Sequence, residues 1–117
     1  MNVQIFGIKN SGATRAAERF FKERRIAIHW VDLKLKPMSP GEIKRFIDRF
    51  GLPALIDTEG KSYADAGLKY IRMQDAELLQ KIERDPKLLK LPLVRAAKHL
   101  SIGHDEESWK LMATSGS

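Results

Sequence analysis

Between Phe6 and Arg15 the chain reads Phe6-Gly7-Ile8-Lys9-Asn10-Ser11-Gly12-Ala13-Thr14-Arg15, a stretch laid out like a loop that holds a reactive sulfur. A strand-like start, Val3 to Phe6, runs through a glycine-containing turn into helical spacing, which puts Ser11 at a helix N-terminus. Backbone N–H groups at such an end attract anions and lower the pKa of a thiol placed among them. The chain has no cysteine, so the position carries a hydroxyl, which gains no comparable reactivity. A serine becomes a nucleophile only with a base in hydrogen-bond reach, usually a histidine. Of the three histidines, His29 falls in a strand-like run, His99 in a hairpin and His104 ahead of the last helix, none of them beside Ser11. The hydroxyl is expected to cap the helix, not to attack a substrate.

Anion binding without bond-making is a second chemistry open to this end. The N–H groups of Gly12, Ala13 and Thr14, the Ser11 and Thr14 hydroxyls and the Arg15 guanidinium form one candidate set for a sulfate- or phosphate-like ligand. The alternative leaves Arg15 solvated or paired with a local acid, and the sequence accommodates both. The histidines show no ligand spacing, so no metal site is expected. Trp30, Tyr63 and Trp109 read as packing residues, with Trp109 closing the last helix on the sheet.

The surrounding elements follow from spacing. Ala13, Ala16, Ala17, Phe20 and Phe21 form one helical stripe from Gly12 to about Arg24. Ile26 to Asp32 suits a mostly buried strand, and with the first strand it makes a βαβ unit with a parallel pair. Ser39-Pro40-Gly41-Glu42 is a capping-box start for a helix carrying Ile43, Phe46, Ile47 and Phe50 and ending at Gly51. Asp57 to Gly60 reads as a turn, and Tyr63 to Leu68 as a short helix ended by Gly67. Asp75 is placed as the cap of a helix that stops near Asp85, because Pro86 follows. Leu91 to Val94 and His99 to Ile102 read as a hairpin turning at Ala97-Lys98, and Asp105 as the cap of a last helix with Trp109 and Met112 inward. Residues 1–112 are read as a single domain and 113–117 as a mobile tail. The order, β-α-β, a helical insertion, then β-β-α, is the thioredoxin-like plan: an α/β fold with a mixed four-stranded sheet flanked by helices.

Composition narrows the classes. The 117 residues are 43% hydrophobic and 31% charged with a net charge of +6. No apolar run approaches the ~20 residues that cross a bilayer, so no membrane role is expected. The N-terminus reads as a first strand rather than a leader, and the cytoplasm is the expected compartment. The basic residues are interspersed with acids, as in Lys44-Arg45-Phe46-Ile47-Asp48-Arg49, which fits a solvated helix face better than a nucleic-acid groove.

Several segments resemble the arsenate reductase (ArsC)/Spx/YffB-like family over nearly the whole chain. They are Ile5 to Asn10 leading into Ala17-Glu18-Arg19-Phe20-Phe21-Lys22-Glu23, then Val31-Asp32-Leu33-Lys34, the Ser39 to Glu42 start and Ile56 to Tyr63. Pro86-Lys87-Leu88-Leu89-Lys90-Leu91-Pro92 and Gly103-His104-Asp105-Glu106-Glu107-Ser108-Trp109 complete the set. The resemblance implies that Ser11 occupies the nucleophilic cysteine's position, with Gly12 matching a Cys-Gly pattern and Arg15 the arginine four residues on. Spx-like members carry a second cysteine where Thr14 stands. The family's Arg-Pro pair is Leu91-Pro92 here, so one anion-binding arginine is also missing, and position 7, where one branch carries a histidine, is glycine. Pro92 matches the proline such folds hold in cis. A serine at position 11 fits a natural cysteine-free paralogue or a replaced cysteine. The resemblance thus implies an arsenate-reductase-like protein that is inactive in thiol redox and shows no reductase activity as written. It uses no cofactor, glutathione entering only with a cysteine at position 11. The partners it implies are an anion or a glutathione-like ligand. An Spx-like, non-enzymatic module would instead dock on a protein such as RNA polymerase.

Overall fold

The computed structural model describes residues 2–114, in two compact units: the chain up to Lys36 together with the chain from Leu91 onward, and Pro37–Lys90. In the first unit, β1 (Asn2–Gly7), β2 (Ala27–Asp32), β3 (Leu93–Ala96) and β4 (His99–Ile102) form one mixed sheet in the order β2-β1-β3-β4. β1 runs parallel to β2 and antiparallel to β3, and β3 is antiparallel to β4. Helix α1 (Gly12–Glu23) connects the parallel pair, and the last helix of the chain spans Glu106–Thr114.

Alternation along β1 sends Val3 and Ile5 to one face, where they pack with Ala17, Phe20 and Phe21 of α1, Val94 and Ala96 of β3, and Trp109 and Met112 of the last helix. The Trp109 ring lies 5.7 Å from Phe20 and 6.4 Å from Phe21, centroid to centroid. The edge of Phe21 meets Phe20 at 5.1 Å. Arg24 stacks 3.6 Å over Phe20, so a charged side chain seals the rim of an aromatic cluster.

The expected mostly buried strand at Ile26 to Asp32 is corrected: β2 is an edge strand with Ala27 and His29 exposed. Only one neighbour, β1, flanks it, so its apolar content was not a guide to two-sided cover. The strand expected from Leu91 begins at Leu93, because Pro92 has no N–H to give to a ladder. The Leu91–Pro92 peptide bond is cis, as expected. Asp105 caps the last helix as expected, accepting from the Ser108 amide at 3.1 Å and the Ser108 hydroxyl at 2.6 Å. That helix runs on through Ala113, which packs on the core, and Thr114, so it includes two residues read as tail; residues 115–117 of that tail lie outside the described residues.

The second unit begins with α2 (Pro40–Phe50), whose capping box is complete: the Ser39 hydroxyl accepts from the Glu42 amide at 3.2 Å, and Glu42 Oε1 accepts from the Ser39 amide at 3.0 Å. Short helices α3 (Leu52–Leu55) and α4 (Lys61–Asp65) follow. Helix α4 ends before Leu68, and Gly67, at φ 68°, separates it from a 3-10 turn over Leu68–Tyr70. In α5 (Asp75–Arg84) the cap is Gln74 and Asp75 is the first helical residue, which corrects its expected capping role; its carboxylate instead meets the helix dipole in the first turn. The unit's last residues are tied back to the segment after α3 by backbone bonds, Asp57 N–H to Leu88 C=O and Lys90 N–H to Leu55 C=O, each 2.8 Å. With the last helix as α6, the fold is the expected thioredoxin-like α/β arrangement.

Candidate functional site

The site is built at the end of β1. Gly7 is the last strand residue, and its carbonyl accepts from the Leu33 amide at 2.9 Å, tying the loop to the chain leaving β2. Phe6 pairs with Leu93, so the antiparallel register carried one residue further sets Gly7 opposite Pro92. The loop after β1 and the cis proline therefore share one end of the sheet. The Pro92 carbonyl accepts from the Gly103 amide at 3.0 Å, which fixes that segment from the other side.

Ser11 begins α1 in extended conformation, φ −85° and ψ 121°, and its Oγ accepts from the Thr14 amide at 3.2 Å. This is a helix N-cap, half-buried, at the position the sequence assigned. The Ser11 amide in turn donates to the Ile8 carbonyl at 3.1 Å, closing the loop on itself.

The residues grouped around this end divide three ways. The amides of Gly12 and Ala13, the first two of the helix, have no acceptor within the helix and face its positive end. Arg15 is exposed and donates from NH1 to the Lys9 carbonyl at 3.0 Å, so its guanidinium braces the loop. Thr14 turns inward: it is 1% exposed, and its Oγ1 has no hydrogen-bond partner in the structure. A Cβ added to Gly7 would lie 2.6 Å from both Thr14 Cγ2 and Oγ1, so glycine at position 7 is what lets the threonine enter. Sequence reasoning read Gly7 as part of the turn and as the position of a missing histidine; its packing role depends on a contact across the loop that no periodicity encodes.

The histidines are engaged elsewhere. His29 meets Gln4 at 3.2 Å, and His99 pairs with Ala96 at the opposite end of β3 from Pro92. His104 lies with its ring 5.0 Å from Trp109 and Nε2 3.8 Å from Glu106. Among the described residues no three His, Cys, Asp or Glu side chains are grouped to hold a metal, and no helix is long and apolar enough to cross a membrane. The site as built is a capped helix end with two free amides and a neighbouring cation, without a thiol or a general base beside Ser11.

Comparison with known proteins agrees with this geometry. The chain is 28% identical over 109 residues to global transcriptional regulator Spx 2 of Oceanobacillus iheyensis, covering 92% of this chain and 80% of that one. It is 24% identical over 114 residues to the protein YusI of Bacillus subtilis, covering 94% and 97%. Among solved structures, an arsenate reductase from Vibrio cholerae superposes with a TM-score of 0.80 at 20% identity, over 96% of this chain and 98% of that one. Residues 6–112 match the ArsC family. Fold, cis proline and helix-end serine thus converge, and this cysteine-free chain belongs to the ArsC family.

Proposed function

We propose that this chain acts by binding a protein partner, in the manner of Spx-like members, and not by thiol turnover. The observation against thiol turnover is the Ser11 cap: the oxygen at the position that the resemblance assigns to the nucleophile accepts the Thr14 amide, in a chain with no cysteine to take over the chemistry. The relative named as a global transcriptional regulator supports RNA polymerase as the partner, and with it a cytoplasmic place of action. Gel filtration of the purified chain with RNA polymerase tests this. Comigration unchanged by dithiothreitol is expected; failure to comigrate, or arsenate reduction driven by glutathione, overturns it.

The amides of Gly12 and Ala13 beside Arg15 favour a second, compatible property, weak binding of an anion or of an acidic glutathione-like ligand at the same end. Saturable shifts of those two amide resonances on sulfate addition are expected, and a response no different from chloride at equal ionic strength contradicts it.

A further inference from the structure

A polar row crosses the sheet on the face opposite Val3 and Ile5. Gln4 of β1 is in register with His29 of β2 on one side and Arg95 of β3 on the other. Arg95 NH1 donates to Gln4 Oε1 at 3.3 Å, and Gln4 Nε2 lies 3.2 Å from His29 Nδ1.

The chemistry of the three groups fixes the direction of this chain. A guanidinium only donates, so the glutamine must turn its carbonyl to Arg95 and its NH₂ to the histidine. His29 Nδ1 then accepts, which puts the imidazole proton on Nε2. The groups left over include the remaining guanidinium N–H bonds, the Nε2–H and the second amide hydrogen of Gln4, so donors outnumber the acceptors that remain on the Gln4 and Asn2 amide oxygens. They line a concavity of about 360 Å³ with Asn2 and Ala97, and none of these lining residues is acidic. A cluster in which donors predominate beside a fixed positive charge and no carboxylate favours an acceptor ligand, and the volume suits a small molecule.

We propose that this row binds a small carboxylate anion. The planar guanidinium fork matches a carboxylate in two parallel bonds, and His29 Nε2–H supplies a third. One fixed positive charge among neutral donors balances a carboxylate, whereas a phosphate dianion asks for a second cation. Gln4 lies three residues before Gly7, roughly 10 Å along the strand, so the site is distinct from the Ser11 end.

The test is a titration of the full-length, isotope-labelled chain with sodium acetate, against sodium chloride at equal ionic strength, following the Arg95 Nε–H, Gln4 amide and His29 ring resonances. Saturable shifts at these groups are expected, on a binding curve separate from any weaker response of Gly12 to Arg15. Arg95→Gln is expected to weaken binding at least tenfold, and Gln4→Glu, which places a negative charge in the row, to abolish it. A backbone spectrum unchanged outside the row establishes that each variant is folded. If Arg95→Gln does not fold, His29→Ala on the exposed edge strand carries the test, with about a threefold loss expected. Shifts that do not saturate, shifts that chloride reproduces, or an affinity unchanged by the folded variants would overturn the site. Tighter binding of inorganic phosphate than of acetate would overturn the carboxylate assignment.

Discussion

At position 11 the oxygen accepts one amide and closes one helix turn, and that bond uses a donor which a thiolate at the same place would share. Removing it isolates the capping role: Ser11→Ala is expected to destabilise the chain by about 1 kcal/mol in urea unfolding, the usual cost of losing a serine cap. Thr14 poses the opposite case. Its hydroxyl is buried without a partner, so Thr14→Val, which keeps the shape and removes the unsatisfied oxygen, is expected to leave stability unchanged or raise it by about 1 kcal/mol in the same assay. The cap was legible in the sequence because serine preceded a helical stripe. The inward turn of Thr14 was not, since it depends on the missing side chain of Gly7 seven residues earlier.

The elements divide between those that carry their own punctuation and those set by neighbours. Helix α2 announces both ends, with Ser39 and Glu42 bonded reciprocally at one and Gly51, at φ 84°, at the other. Short α3 has no apolar period to read, and its Pro53 stands in the first turn, where a missing N–H costs the helix nothing. Exposure of β2 is likewise absent from its composition, because sheet order alone makes it an edge. The β3–β4 hairpin was legible in position, yet its turn carries a cost: Ala97 sits at φ 54°, a left-handed conformation that disfavours residues with a Cβ. Ala97→Gly is therefore expected to stabilise by about 0.5 kcal/mol, the strain relieved exceeding the added entropy of the unfolded glycine; thermal unfolding monitored by circular dichroism checks the sign.

On the scale of the whole chain, one aromatic cluster links the beginning of the sequence to its end. Phe20 and Phe21 of α1 meet Trp109 of α6, so the helix that presents Ser11 is held by a residue almost a hundred positions away. Trp109 is fully buried, and Trp109→Ala is expected to cost roughly 3–5 kcal/mol in urea unfolding, with loss of near-ultraviolet dichroism. The scaffold that positions Ser11 is thus complete in a chain with no cysteine, and this separation of frame from reagent is the premise of the proposed function. It is tested most directly by titrating the thiol of a Ser11→Cys variant through its thiolate absorbance. A pKa below about 7.5, against about 8.5 for a free cysteine, is the expected result; a value at or above 8.5 would contradict the claim that this helix end is a thiol-activating site occupied by an oxygen.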